Sequence, residues 1–257
     1  MHSIRHILYN KELNSEFKCE NAILKSRQYS PEILILGTFN PSLPNSNYAD
    51  FFYGRNYLWP AFKNIFTHKE TRLLGTRMPK RGKPKKPLDP NVNEIFDLCK
   101  KLKLTFADLI LEVLHNNADY HILRNDNICF DNQTFNLIQD DKKEQISGLT
   151  QLKALNQINW NTSNIIDYLC NHQTIQTIYL TRQPKGIWLH EWQEIKKHKC
   201  CQGRTFVNIF TPSGQGKPVL NSMERLIRHW IFNMDNNFGK LDENWLNKHS
   251  VDIMKFK

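Results

Sequence analysis

The sequence predicts a three-layer α/β/α fold, in which helices cover both faces of a central, mainly parallel sheet. Three short apolar runs have the length and composition of buried parallel strands, namely residues 33–36, 177–180 and 206–210. Segments with apolar residues at helical spacing separate these runs. Short strands that alternate with helices are typical of layered α/β folds, whose functional loops follow the carboxyl ends of strands.

Helical periodicity and composition predict the rest of the chain. The predicted helices cover residues 56–66, 92–103, 163–171, 187–198 and 220–232, and the apolar run 104–110 is predicted to lead into a turn or a helix. Residues 1–30 are expected to form a polar, partly helical lead-in, and residues 236–257 a C-terminal tail. Residues 31–235 then form one α/β domain with a basic insertion near residues 70–90, where four prolines predict a loop.

Length and composition fit an intracellular protein with a real core. The chain has 257 residues, of which 40% are hydrophobic. No apolar run approaches the roughly 20 residues that span a bilayer, and the first residues lack the apolar stretch of a signal peptide. We therefore expect a cytoplasmic protein with no membrane contact.

The charge of the chain favours a polyanionic partner. Thirty-five Lys and Arg residues against 25 Asp and Glu give a net charge of +10. Binding to a polyanion gains free energy from the counterions that it releases. Six of the ten residues from 77 to 86 are Lys or Arg, and none is acidic. This basic cluster predicts phosphate contacts, and the alternatives are a solvated loop or a localisation signal.

The cysteines and histidines predict no metal site, and we expect no cofactor. The six cysteines are scattered without a CxxC pair, at positions 19, 99, 129, 170, 200 and 201. Cys200 and Cys201 lie close to His198, but no second ligand pair follows at zinc-finger spacing. His115 and His121 also lack metal-ligand spacing. Reduced thiols are therefore expected.

Two loops at predicted strand ends combine small residues, a proline and a polar side chain. The first is Gly37-Thr38-Phe39-Asn40-Pro41-Ser42, and the second is Thr211-Pro212-Ser213-Gly214. Small residues let a backbone approach a phosphate or a sugar closely, and proline fixes the turn. The aromatic segment 51–59, FFYGRNYLW, lies between the two loops.

These segments resemble the uracil-DNA glycosylase superfamily, most closely its mismatch-specific uracil/thymine branch. The first loop resembles the G-x-N-P motif of that branch with one extra residue, and the second resembles its N-P-S-G loop, with Thr211 where other branches have His or Asn. Segment 51–59 resembles an aromatic segment that ends in N-x-F-W, and residues 107–110 and the strand end at Thr181 fall at two further landmarks. The resemblance runs from about Ile33 to Ile231, with residues 67–103 and 124–172 poorly matched. It implies a central four-stranded sheet.

The resemblance assigns roles to both loops. Cleavage of a base–sugar bond builds positive charge on the sugar and negative charge on the departing base. Asn40 would orient a water and donate to the base, unless it only forms an Asx turn before Pro41. Ser213 would be its catalytic partner, with a backbone N–H directed to a phosphate, unless the second loop is an ordinary strand-to-helix turn. The residues expected to bind the substrate are Gly37, Thr38, Phe39, Pro41, Phe52, Tyr53, Asn56, Thr211 and Gly214.

Other side chains have narrower predicted roles. Phe52 or Tyr53 would stack on a flipped base, a contact worth about 1–3 kcal/mol, whereas Phe51 and Trp59 are expected in the core. Asp108 is expected to cap or brace the chain locally, with water activation as the alternative. The residues expected to contact DNA are Lys80, Arg81, Lys83, Lys85, Lys86, Gln215 and Lys217.

The resemblance therefore implies a monofunctional DNA N-glycosylase that acts as a monomer on single- or double-stranded DNA. Its role would be repair, or defence against DNA with hypermodified bases, and uracil, hypoxanthine, mismatched thymine and a bulky modified base all stay open as substrates. The alternative is a catalytically inactive DNA-binding module, because the first loop has no carboxylate and the second has no histidine. A metal-dependent nuclease is disfavoured, because no carboxylate cluster is visible.

The basic cluster leads to a prediction about salt. Reversing the charge of Lys80, Arg81, Lys83, Lys85 and Lys86 should weaken binding to every duplex alike. The log–log dependence of affinity on salt should flatten by about 0.9 for each lost phosphate contact. Base preference should not change, because phosphate contacts carry no sequence information. Binding across a salt series measures this slope, and an unchanged slope would identify the cluster as a solvated loop.

Overall fold

Twelve strands form three sheets in the part of the chain that the structure describes. The structure is a computed structural model that describes residues 2–41, 57–70, 90–115, 121–124, 127–130, 149–154, 156–212 and 222–257. In chain order the strands are β1 (His2–Arg5), β2 (Lys11–Glu12), β3 (Phe17–Glu20), β4 (Ile23–Ser26), β5 (Ile33–Gly37), β6 (Leu104–Asp108), β7 (Ile110–His115), β8 (His121–Arg124), β9 (Asn127–Phe130), β10 (Ile158–Trp160), β11 (Thr177–Leu180) and β12 (Thr205–Asn208).

The main sheet has seven strands in the order β12-β11-β5-β6-β4-β3-β2. Neighbours among β12, β11, β5 and β6 are parallel, whereas β4, β3 and β2 extend the sheet with antiparallel pairs. The predicted α/β class is confirmed. The prediction of a four-stranded sheet is wrong, because N-terminal residues add three strands beside β6. The other sheets are β1-β7-β10 and the hairpin β8-β9.

Each central strand is buried on both faces. In β5, Ile33 and Ile35 belong to one hydrophobic cluster, and Leu34 and Leu36 belong to a second cluster. This division follows from the alternation of side chains along a strand. Full burial of one such side chain contributes about 1.5–3 kcal/mol. The apolar run that predicts this strand therefore also fixes it in the middle of the sheet.

Helices pack against both clusters. They are α1 (Leu58–Lys63), α2 (Val92–Leu102), α3 (Leu149–Ala154), α4 (Thr162–Asn171), α5 (Ile187–Lys197), α6 (Met223–Phe232) and α7 (Glu243–Lys248), with a π-helical turn at Asn64–His68 and 3₁₀ turns at Lys199–Cys201 and Ile253–Phe256. Buried residues of α1, α2, α6 and α7 join the first cluster, and those of α3, α4 and α5 join the second. Helix α2 begins at a capping box of Asn91 and Glu94.

Both ends of the chain contribute to this architecture. Residues 2–30, predicted as a partly helical lead-in, instead contain β1 to β4. Residues 104–110, predicted to lead into a turn or a helix, instead form β6 and the start of β7. In the C-terminal segment, Leu241, Trp245 and Phe256 are buried in the first cluster. Within the described ranges, no helix is long and apolar enough to cross a bilayer.

One cysteine pair corrects the expectation of reduced thiols. Cys170 in α4 and Cys200 in the 3₁₀ turn after α5 form a disulfide, although 30 residues separate them in the sequence. Cys19, Cys99 and Cys201 are free and buried. The fold joins the ends of two helices here, which cysteine spacing alone does not indicate.

Candidate active site at the carboxyl edge of the sheet

The strand order reverses between β5 and β11. From β5 the chain continues to β6 on one side, whereas the next parallel strand, β11, lies on the other side of β5. In open α/β sheets, ligands bind at such a reversal of strand order. The first loop follows β5, and the second loop follows β12, one strand beyond β11. Their strand ends are therefore about 10 Å apart.

The backbone of the first loop is held from two directions. The carbonyls of Gly37 and Thr38 accept hydrogen bonds from the N–H groups of Leu109 and Ile110, at 3.3 and 2.9 Å. The Asn40 carbonyl accepts from the N–H of Ile7 at 2.8 Å. Pro41 pairs with His6 in an isolated antiparallel bridge. These contacts fix the loop before any ligand arrives, which is a requirement for a preorganised site.

The side chains of this loop divide into polar groups and one core residue. Thr38 and Asn40 are 8% and 6% exposed. Phe39 is fully buried in the second hydrophobic cluster. A substrate contact by Phe39 would therefore have to come from its backbone, and Thr38 and Asn40 are the side chains that offer polar groups.

A buried imidazole–carboxylate pair lies beside the first loop. Asp108 is the last residue of β6 and pairs in register with Gly37. His6 Nε2 lies 2.7 Å from Asp108 Oδ2, and the two side chains are only 1% and 3% exposed. The other oxygen, Asp108 Oδ1, is buried and has no hydrogen-bond partner among the described residues. Buried ionisable groups cost free energy, so this pair beside the first loop is a candidate part of the site.

The hydrogen bonds of His6 define its tautomer. The N–H of Leu8 donates to His6 Nδ1 at 3.0 Å, so this nitrogen carries no proton. The proton is therefore on Nε2, which donates to Asp108 Oδ2. This arrangement matches a neutral imidazole beside a carboxylate. With an ionised Asp108, the pair would carry a buried negative charge next to Gly37.

Asp108 influences the pKa of a neighbouring thiol, and its backbone carbonyl accepts a hydrogen bond from a buried side chain. Burial, and to a smaller extent the charge of Asp108, raise the pKa of the Cys19 thiol above its usual range. The Asn161 side chain is fully buried and donates to the carbonyls of Asp108 and Asn21, at 3.0 and 2.7 Å. Asp108 therefore does more than the predicted local capping, because its side chain joins β6 to the N-terminal segment.

The second loop is anchored at its start. Trp230 Nε1 donates to the Phe210 carbonyl at 2.8 Å, and the Tyr57 N–H donates to the Pro212 carbonyl at 2.8 Å. The His229 ring stacks on Phe210, with ring centroids 4.6 Å apart. Burial lowers the pKa of His229. The contact between Tyr57 and Pro212 brings the end of the aromatic segment to the second loop.

An arginine follows the end of β11, the strand that lies between β5 and β12. Thr181 donates both its N–H and its hydroxyl to the Leu36 carbonyl, each at 3.0 Å. Arg182 follows, half-buried, with its guanidinium 4.5 Å from the centroid of the Trp188 ring. Stacking of this kind restrains the guanidinium and favours recognition of phosphate. Arg182 is therefore a candidate phosphate contact, and it is absent from the residues predicted above.

The structure gathers only some of the predicted site residues. Gly37, Thr38, Asn40, Pro41 and Thr211 all lie at the carboxyl edge of the parallel strands, and Trp59 is buried in the first cluster as predicted. The remaining predictions lie outside the described residues; they concern Phe51, Phe52, Tyr53, Asn56, Lys80, Arg81, Lys83, Lys85, Lys86, Ser213, Gly214, Gln215 and Lys217.

Sequence reasoning missed His6 as part of this site. His6 and Asp108 are 102 residues apart, and no motif surrounds His6. Arg182 could have been predicted from the sequence, because Thr181 and Arg182 directly follow a buried parallel strand, where functional residues are expected.

Comparisons of the chain with protein-family models, with curated proteins and with solved structures found no match. The function has to be inferred from the geometry and chemistry of the site, because a fold alone does not determine activity.

Proposed function

We propose that the protein is a monofunctional DNA N-glycosylase that hydrolyses the bond between a modified base and its deoxyribose. The observation that carries this proposal is the buried pair of His6 and Asp108, packed beside the Asn40 loop at the reversal of strand order. A carboxylate, an amide and a cation at one edge match the needs of this reaction. The resemblance of the two loops to uracil-DNA glycosylases points to the same chemistry.

The charge of Asp108 has a direct use in this reaction. The sugar becomes positively charged, like an oxocarbenium ion, as the base departs. A negative charge placed about 10 Å from such a cation, at an effective dielectric constant of about 20, would stabilise it by roughly 1.7 kcal/mol. That is more than tenfold in rate. Asp108 supplies this field without contact to the sugar, and the hydrogen bond from His6 keeps its side chain in place.

Asn40 and Arg182 would act on the base and on the backbone of DNA. The Asn40 amide can accept a hydrogen bond from the attacking water and donate one to the departing base. Arg182 would bind a phosphate of the flipped nucleotide, because its guanidinium offers several donors in a fixed plane. The basic cluster would add contacts to phosphates of any sequence.

Release of a free base tests the proposal. The full-length protein in excess is incubated with duplexes that contain uracil, hypoxanthine, mismatched thymine or a glycosylated hydroxymethylcytosine, and with the unmodified duplex as the control. We expect one of the modified duplexes to yield a free base, identified by its mass, and an abasic site. Retention of all duplexes without release of any base would reject the glycosylase and support the DNA-binding module.

A further inference from the structure

We propose that Cys170, His198 and Cys200 form a zinc site when the disulfide between the two cysteines is reduced. The site lies far from the candidate active site. Helix α4 leads to the amino end of β11, and the 3₁₀ turn Lys199–Cys201 leads to the amino end of β12. The three residues therefore lie at the edge of the sheet opposite to Asn40, and the inference does not depend on the proposed function.

The three ligand atoms converge from two separate elements. The Nδ1 atom of His198 lies 3.1 Å from Cys200 Sγ and 3.8 Å from Cys170 Sγ. All three candidate ligand atoms lie within 4.8 Å of one another. Tetrahedral zinc needs ligand atoms about 2.0–2.3 Å from the ion. Modest side-chain rotations after reduction would open the space for an ion between the three atoms.

The donor set favours zinc over harder cations. Two thiolates and an imidazole are ligands that zinc prefers, whereas magnesium and calcium prefer oxygen. Two thiolates also neutralise the double charge of the ion. All three residues are half-buried, and a surface recess lined by Glu194 and Lys197 reaches His198. Solvent access of this kind lets a water complete the tetrahedron.

The disulfide and the zinc complex exclude each other, because each uses both sulfurs. A dithiol reductant attacks one sulfur and forms a mixed disulfide while the other sulfur leaves as a thiolate. The second thiol of the reductant then displaces the protein, so the reductant becomes a disulfide and the protein gains two thiols. Zinc binding releases the two thiol protons as the Zn–S bonds form. Either state links the end of α4 to the end of α5. Oxidation would therefore replace a link through the zinc ion by a link through the disulfide.

Cobalt and zinc titrations of the full-length protein test this site. The protein is reduced with a dithiol, freed of the reductant without oxygen, and titrated with Co²⁺, whose thiolate complexes absorb in the near ultraviolet. We expect one Co²⁺ per chain with thiolate charge-transfer bands, and displacement by Zn²⁺. The oxidised protein should bind neither ion at this site.

Variants separate the site from incidental thiol binding. Loss of a group that only orients a ligand costs about 10- to 100-fold in metal affinity, so Cys170→Ser and His198→Ala should each cost more than about 100-fold. Cys201→Ala, which removes the neighbouring free thiol, and His190→Ala, which removes an exposed imidazole, should bind as the wild type. Circular dichroism checks that each variant is folded. Stoichiometric binding that survives Cys170→Ser, or no binding by the reduced wild type, would overturn the proposal.

Discussion

Replacement of Asn40 with alanine should lower the rate of base release about 100- to 1,000-fold while leaving the affinity for duplex DNA nearly unchanged. Removing one preorganised donor from a transition state typically has an effect of this size. The amide would act on charge that develops only as the bond breaks, so its loss should change the chemical step and not DNA retention. Single-turnover release and equilibrium binding, measured on the same modified duplex, separate the two effects.

A surface variant at the opposite edge provides the control. Asn171 is exposed at the end of α4, and its side chain donates a hydrogen bond to the carbonyl of Asp167 in the same helix. Asn171→Ala should release base at the wild-type rate. Undiminished release by Asn40→Ala would remove Asn40 from the mechanism and leave the Asx-turn interpretation. Equal losses of release and binding would indicate instead that the loop had moved.

The framework of the fold could be predicted because its signals are local. The runs that became β5 and β11 are largely apolar and buried, as inner parallel strands must be, whereas β12 lies at the edge of the sheet and is only partly buried. Helix α2 was predicted almost to its ends from its amphipathic pattern, and the structure adds a capping box at its start. Residues 104–110 were misinterpreted, because a short apolar run without alternation does not distinguish a strand from a helix.

The N-terminal strands and two side-chain contacts depend on distant partners. Strands β2 to β4 are short and extend the sheet beside β6. The N-terminal segment reaches partners far along the chain, as the hydrogen bond from the Tyr29 hydroxyl to the carbonyl of Leu104, 75 residues later, shows. The contacts of His6 with Asp108, and of Cys170 with Cys200, join residues that only the finished fold brings together. Parallel strand order, in contrast, places both loops on one edge, so their common edge could be predicted and Asp108 could be named, but its partner His6 could not.

Replacement of His6 with alanine should lower the free energy of unfolding by about 3–5 kcal/mol, because it leaves a buried carboxylate without its partner. This is a large part of the 5–15 kcal/mol that stabilises a typical domain, measurable as a lower midpoint of urea unfolding. His6→Gln is the matched control, since its amide N–H can still donate to Asp108, and it should cost less.

A second substitution distinguishes a buried charge from an ordinary packing contact. If the cost of His6→Ala comes from the charge of Asp108, adding Asp108→Asn removes that charge and should restore about 1–3 kcal/mol of stability. If the two side chains were only packed together, their losses of stability would add or the double variant would leave a larger cavity. The double variant would then recover no stability. Base release should not recover together with stability. The double variant, although more stable than His6→Ala, should stay at least about tenfold slower than the wild type, because it lacks the charge that stabilises the sugar cation. Recovery of stability together with full activity would show that the pair only holds β6 to the N-terminal segment.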